Sequence, residues 1–464
     1  MAEPVVVQGQ EVNYGSATNV QHHEQQAKCQ DPLFAPLFYV DIIAIVAVAI
    51  LRGEGALNNQ YFSEEYQGYY YSALLGGVVG LILSGLGLQV MMCIPETLIK
   101  ASLIFTVIMS AFVMVVAFLN SNWFAAILGV LFFLLTCCYA YCVWSRIPFA
   151  TINLVTAITA VKANCGITVA AYIFTIIACF WSFIWAIAML GVFDSAYTCT
   201  NYETRTGCTV SGSGYGYLFL LFLAYFFGHQ VFQNTIHVTI AGVVATWWIA
   251  PDEASSCCSS AIWDSLKRSL TTSFGSICFG SLLVAIIQAL RALANTARSQ
   301  DDGILLCLAE CILACIQGLI EYFNKWAFIY VGVYGMGYCE SGSNVMQLFA
   351  NRGWESIIAD DLVGNTLFLV SLVVGGLTGA LGILIEWLAG WIDEDNPGDS
   401  KLMAFGLGFI IGVVLCSILM SVIASSVNAV LVLFAEKPAE FQQNHPDLSA
   451  RMRQIWSEIY PGSV

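Results

Sequence analysis

The residues best suited to chemistry lie in a long apolar run near the middle of the chain, residues 215–250. On a helix, four of its side chains fall on one face: Gln230, Asn234, His237 and Trp248. Amide and imidazole groups in a membrane span seldom face lipid, because hydrocarbon offers them no hydrogen-bond partner. This face is therefore expected to meet another helix or a water-filled cavity. Two interpretations are open: hydrogen bonds that hold the helices together, or a path for a solute.

A second polar stripe lies in the apolar run 305–338 and consists of Glu310, Gln317, Glu321 and Asn324. Glu321 also precedes Lys325 by one helical turn, the spacing of an ion pair within a helix. An isolated carboxylate is costly in hydrocarbon, so we expect Glu321 to be paired or hydrated.

Three tyrosines follow the second stripe at one-turn intervals, namely Tyr330, Tyr334 and Tyr338. Aromatic faces around a cavity attract a cation that has no hydrogen-bond donors, such as a quaternary ammonium group. Tyrosines near the end of a span also form the aromatic belt at the membrane surface. Their spacing alone is compatible with both roles.

The cysteines are mostly embedded in apolar runs, where the residue behaves as a small hydrophobe. Cys199 and Cys208 differ, because both lie in the polar loop after the fifth apolar run, and they are the pair predicted to form a disulfide. Cys307, Cys311 and Cys315 repeat along one helix without a histidine, a pattern that favours packing over a zinc site. We find no phosphate-binding, protease or dinucleotide motif, so no enzyme, metal or cofactor is expected.

The elements that must position these side chains follow from composition. Of 464 residues, 58% are apolar and only 10% are charged, and many apolar runs reach the roughly 20 residues that cross a bilayer. Ten spans are predicted, at about 36–52, 71–93, 97–119, 122–144, 165–192, 215–250, 269–293, 305–338, 363–388 and 402–434. The runs are continuous rather than alternating, which predicts an all-α, polytopic transmembrane bundle with the lipid bilayer as its surroundings.

The charges predict the orientation of this bundle and exclude one class of partner. A net charge of −15 argues against nucleic acid, whose phosphates need a basic surface. Lysines and arginines are more frequent on the side of the two termini, which places both termini in the cytoplasm. We therefore predict a disordered tail at 1–35, a membrane domain at 36–434 and a cytoplasmic tail at 435–464. No pattern predicts an oligomeric state.

Several stretches resemble the choline transporter-like family. They are RIPFATINLVTAITAVKAN (146–164), HQVFQNTIHVTIAGVVATWW (229–248), SLKRSLTTSFGSICFGSLLV (265–284), FNKWAFIYVGVYGMGYCESGSNVMQLFANR (323–352) and SSVNAVLVLFAEKP (425–438). They occur in the order and at the spacing of that family. One departure is the short first outer loop, residues 53–70, without a glycosylation sequon.

The resemblance implies ten helices with cytoplasmic ends, in agreement with the independent count of spans. It also implies movement of choline, or of ethanolamine, across a membrane without ATP. The plasma membrane is the default location, and an organellar membrane is the alternative. Residue chemistry alone leads to a transporter or channel for a small cationic solute. A cation channel and a membrane scaffold that transports nothing are the alternatives.

Combining both lines of reasoning, we predict a site for the cation at the membrane midplane, between the sixth and eighth spans. Trp248, Tyr330 and Tyr334 would offer aromatic faces to the ammonium group. Gln230, Asn234 and His237 would orient the hydroxyl or line the path. Glu321 would supply negative potential.

Overall fold

A computed structural model of the chain describes residues 28–52, 67–119, 123–198, 208–298, 304–352, 355–389 and 397–459. Within these ranges ten helices are long and apolar enough to cross a membrane. The predicted all-α, polytopic fold is therefore confirmed. Helices form because a continuous apolar run in lipid must satisfy its backbone hydrogen bonds internally.

The described helices, numbered in chain order, are α1 (Phe34–Arg52), α2 (Gln67–Cys93), α3 (Pro95–Leu119), α4 (Trp123–Val143), α5 (Ile147–Ala163), α6 (Gly166–Ala196), α7 (Gly214–Ile249), α8 (Ser260–Leu270), α9 (Phe274–Arg298), α10 (Ile304–Tyr334), α11 (Tyr338–Arg352), α12 (Glu355–Ala389), α13 (Pro397–Glu436), α14 (Pro438–Asn444) and α15 (Pro446–Ile459). Two short antiparallel strands, β1 (Tyr197–Thr198) and β2 (Thr209–Val210), join α6 to α7, with Tyr197 opposite Val210.

Helix α5, which covers the segment between the predicted fourth and fifth spans, lies in the core of the fold. Leu154, Ala157 and Ile158 are completely buried. The helix packs against α13 and α15, where the rings of Phe149 and Trp456 meet edge to face at 5.1 Å. A short 3₁₀ turn joins α4 directly to α5, so the chain enters the core instead of remaining at the surface.

Small residues allow α12 and α13 to approach closely, as their GxxxG spacing predicts. A Cβ atom added to Gly408 would lie 2.9 Å from the Cα of Gly379. One added to Gly412 would lie 3.0 Å from the Cα of Gly375. Because such contacts are closer than a side chain tolerates, these glycines set the distance between the two helices.

The predicted eighth span is too long at its C-terminal end. Helix α10 ends at Tyr334, and Gly335 has a φ of +67° while its N–H donates to the carbonyl oxygen of Val331 at 3.0 Å. This left-handed conformation ends a helix and favours glycine. Tyr338 therefore begins the separate helix α11, and the predicted row of three tyrosines contains only Tyr330 and Tyr334.

The chain before α1 is anchored to the bundle. The backbone N–H of Gln30 donates to the carbonyl oxygen of Thr272 at 2.9 Å. The Oδ2 of Asp31 accepts hydrogen bonds from Ser276 Oγ at 2.7 Å and from the backbone N–H of Tyr338 at 2.8 Å. Residues 28–33 thus connect the start of α9 to the start of α11, and residues 1–27 of the predicted tail lie outside the described residues.

Two cysteine findings bear on the predicted disulfide. Cys208 is disulfide-bonded, whereas Cys199 lies outside the described residues, so the pairing of the two stays a prediction. A second disulfide, which was not predicted, joins Cys165 to Cys257 with their Cα atoms 4.6 Å apart. The sequence offered no signal for it, because the two residues lie in separate loops far apart in the chain.

Candidate functional site

Polar side chains of α7 and α9 form hydrogen bonds between the two helices. Gln230 Nε2 donates to Gln288 Oε1 at 3.3 Å. Asn234 Nδ2 donates to Ser281 Oγ at 2.9 Å and lies 3.4 Å from Gln230 Oε1. The polar face predicted on α7 therefore meets a polar face of α9.

Glu321 of α10 joins this network. Its Oε1 accepts hydrogen bonds from Gln288 Nε2 at 3.0 Å and from Gln317 Nε2 at 2.8 Å. We call these six residues the amide cluster: Gln230, Asn234, Ser281, Gln288, Gln317 and Glu321. The side chain of Glu321 is exposed, although it lies about 20 Å along α10 from Tyr334 at 1.5 Å per residue. Because a carboxylate is costly in lipid, we expect this side of α10 to face a groove that water can enter.

Lys325 does not pair with Glu321, although their spacing is that of an ion pair within a helix. Lys325 Nζ instead pairs with Asp360 of α12, and the two side chains are 29% and 13% exposed. Because Asp360 belongs to another helix, this ion pair joins α10 to α12. In the described ranges, Glu321 has only neutral amide partners, whereas Glu310 pairs with Arg298 at 2.7 Å.

His237 connects three helices close to the amide cluster. Its Nε2 lies 2.9 Å from the carbonyl oxygen of Lys325, and its Nδ1 lies 2.7 Å from Ser425 Oγ of α13. A carbonyl oxygen can only accept, so Nε2 carries the proton and Nδ1 of the neutral ring accepts from the serine hydroxyl. His237 therefore links α7 to both α10 and α13.

Asn324 and Tyr338 seal the side of α10 that faces α9. Tyr338 donates its hydroxyl proton to Asn324 Oδ1, and Asn324 Nδ2 donates to the carbonyl oxygen of Gly280 at 2.8 Å. Burial raises the pKa of Tyr338, so its hydroxyl remains a donor at neutral pH. Tyr338 therefore acts as a structural bridge and offers no aromatic face to a solute.

Trp248, the aromatic member of the α7 stripe, lies at the C-terminal end of that helix. Its ring is completely buried and stacks on Phe441 of α14, with centroids 3.7 Å apart and planes inclined by 10°. Its Nε1 donates to the carbonyl oxygen of Lys437 at 2.9 Å. At least one aromatic face of Trp248 is thus already occupied by the C-terminal segment.

Tyr330 and Tyr334 lie at the same end of the bundle. Their ring centroids are 5.5 Å apart, and both hydroxyl groups donate to the carboxylate of Glu436, the last residue of α13. The aromatic residues predicted to bind a cation therefore all contact residues 436–441.

The structure divides the predicted site residues into two groups. Gln230, Asn234 and Glu321 come together through Gln288, with His237 one turn further along α7. The second group, Trp248, Tyr330 and Tyr334, lies near the helix ends. The sequence analysis missed Gln288 although it is an amide in an apolar run, the criterion that found Gln230. It also missed Asp360, Glu436 and Phe441, whose roles depend on contacts between distant segments.

Metal binding has no support in the described residues, because no group of three histidine, cysteine or acidic side chains there lies close enough to hold an ion. Cys307, Cys311 and Cys315 are exposed on α10 and join no such group.

Ten helices that can span a membrane, with hydrogen-bonded polar side chains between α7, α9 and α10, define a multi-pass membrane protein, and comparisons with known proteins identify its family. Residues 124–439 match the family model described as plasma-membrane choline transporter. The chain is 28% identical to the protein PNS1 of Mycosarcoma maydis, over 95% of this chain and 85% of that protein.

Two further relatives agree with this match. The protein PNS1 of Gibberella zeae is 30% identical over 71% of this chain and 63% of its own length. A CTL-like protein of Dictyostelium discoideum is 29% identical over 73% of this chain and 58% of its own length. The chain belongs to the choline transporter-like family, a family of membrane transporters.

Proposed function

We propose that this protein carries choline, or a related small organic cation such as ethanolamine, across the plasma membrane. The observation that carries the proposal is the state of Glu321. Its side chain is exposed in the middle of a membrane span, and only neutral amides bind its carboxylate in the described part of the chain. Such a charge attracts a cation without binding it irreversibly, because the site remains partly hydrated.

The surrounding residues support a solute that carries both a positive charge and a hydroxyl. Gln230, Asn234 and Gln288 present amide groups beside Glu321, and each can turn a donor or an acceptor towards a hydroxyl. His237 lies further along the same face of α7. In this proposal the solute enters beside Glu321 and passes His237 towards the aromatic end of α10.

The proposed mechanism is alternating access, driven by the gradient of the solute or of a coupled ion. The chain has no nucleotide-binding motif, which favours a facilitated or gradient-driven carrier over a pump. The alternatives make different predictions. A cation channel gives flux that does not saturate, and a scaffold protein gives no flux above that of empty vesicles.

Uptake of labelled choline into proteoliposomes tests the proposal. We expect saturable uptake that unlabelled choline and ethanolamine reduce. Glu321→Gln removes the charge and keeps the shape, and the lost attraction of about 1 kcal/mol should raise the half-saturation concentration about fivefold.

Glu310→Gln is the matched control, because it is the same substitution on the same helix at a carboxylate already paired with Arg298. We expect it to leave the half-saturation concentration nearly unchanged. Equal effects of the two substitutions, or no saturable uptake by the wild-type protein, would overturn the proposal.

A further inference from the structure

The C-terminal segment of the described bundle covers the end of α7. Asn444 Nδ2 donates to the carbonyl oxygens of Trp248 at 3.0 Å and of Ile249 at 2.7 Å. His445 Nε2 lies 3.0 Å from the carbonyl oxygen of Trp247, and its ring stacks on that indole with centroids 4.0 Å apart. These contacts satisfy carbonyl groups that the last turn of a helix otherwise leaves without partners.

The same segment also contacts Trp248, Tyr330 and Tyr334, the aromatic residues predicted to bind a cation. Phe441 covers Trp248, the carbonyl oxygen of Lys437 accepts its indole N–H, and Glu436 binds both Tyr330 and Tyr334. Residues 436–445, which we call the clasp, therefore occupy the groups that would otherwise face a cation.

The clasp is built as a separate piece with a hinge on each side. Helix α14 is bounded by Pro438 and Pro446, and a proline disfavours helical geometry in the residue before it. Lys437 has φ −131° and ψ 54°, and His445 has φ −135° and ψ 63°, so neither is helical. Two such points let residues 437–445 move as a unit, and Glu436, the terminal residue of α13, leaves the helix with them while the rest of α13 and α15 stay in place.

We propose that the clasp is the gate at the Tyr334 end of the solute path, and that its release exposes Trp248, Tyr330, Tyr334 and Glu436 as a second site for the cation. This inference rests on the proposed function. When the clasp opens, Phe441 leaves the indole face of Trp248, and the Glu436 carboxylate is freed from the two phenols. Aromatic faces beside a free carboxylate form a site for a quaternary ammonium group.

A reversible lock tests the gate in the full-length protein. Asn444 Nδ2 contacts the backbone carbonyl oxygen of Ile249, so Ile249→Cys and Asn444→Cys place one thiol on each side of this contact, and a bifunctional thiol reagent with a cleavable disulfide joins α7 to α14. We expect the cross-link to reduce choline uptake at least about tenfold, as for a transporter confined to one state, and a reductant to restore it. The single variants and the wild-type protein, treated alike, should keep their uptake. Undiminished uptake by the protein whose cross-link is verified by mass would overturn the proposal.

A second measurement does not depend on choline. Tyr330→Phe combined with Tyr334→Phe removes both hydrogen bonds to Glu436 and keeps the rings, so backbone amides of residues 438–445 should exchange with deuterium about tenfold faster. Tyr141→Phe, at an 86% exposed tyrosine, is the control and should not change the exchange.

Equal deuterium exchange of these amides in the double variant and in the control would overturn the proposal of a gate, even if choline is transported. If the wild-type protein moves no choline but exchange rises as expected, the clasp is a releasable element and only the proposed solute is wrong.

Discussion

Two parts of the same helix, α10, hold carboxylates in different ways. Near its middle, Glu321 lies in the amide cluster, where it accepts hydrogen bonds from Gln288 and Gln317 and its side chain is exposed. Near its end, Tyr330 and Tyr334 bind Glu436 within the clasp, beside the fully buried Trp248 and Phe441.

The proposed function assigns these two regions to the two sides of the solute path. Neutral amides hold a carboxylate in place and leave its charge available, whereas stacked aromatic rings exclude water and solute alike. The ion pair of Lys325 with Asp360 lies between the two regions along α10 and joins it to α12. In this conformation the side chain of Glu321 is exposed, whereas Trp248 and Phe441 are completely buried.

The largest expected effect is a loss of stability when the buried ring of Trp248 is removed. Trp248→Ala removes a completely buried indole, and we expect the free energy of unfolding to fall by about 3–5 kcal/mol. Thermal unfolding of the purified protein in detergent measures the change. Trp263→Ala, at a tryptophan 68% exposed, is the control and should change it by less than about 0.5 kcal/mol. Similar losses of unfolding free energy for both variants would mean that the buried ring of Trp248 does not stabilise this end of the bundle.

A smaller effect is expected at the ion pair of Lys325 with Asp360, which lies between the two regions along α10. Lys325→Met leaves Asp360 without its cation, which should cost about 2–3 kcal/mol because the pair is only partly buried. Adding Asp360→Leu should recover much of that loss, since no unpaired charge then remains. A double-mutant cycle from unfolding curves provides the measurement, and additive losses would rule out the coupling of the two side chains.

The smallest expected effect concerns Gly335, whose left-handed conformation ends α10. Gly335→Ala forces a side chain into a left-handed conformation and should cost about 1–2 kcal/mol. Gly318→Ala is the matched control on the same helix, where an added Cβ meets no atom within 4 Å. It should be neutral or stabilise the helix by up to about 1 kcal/mol. Equal unfolding temperatures for the two variants would show that the turn after Tyr334 is not strained by a side chain.

The sequence predicted the spans well because hydropathy is a property of each segment alone. It also found Gln230, Asn234 and Glu321, since a polar group in an apolar run is visible without any knowledge of its neighbours. It did not find the partner of Lys325, because a local spacing rule cannot include Asp360, which another helix supplies. It extended α10 to Tyr338 because one glycine inside an apolar run does not reveal a positive φ.

Composition and periodicity by themselves determined that this chain is a bundle of membrane-spanning helices with two polar stripes. Both follow from the cost of placing polar groups in hydrocarbon, which each segment meets independently. Only the tertiary structure decided that Glu321 keeps its charge available and that Glu436 is bound by two phenols. The reason is that both carboxylates have partners on other helices. Glu321 received two neutral amides, whereas Glu436, Trp248 and the tyrosines were brought together when the chain folded back at Pro438.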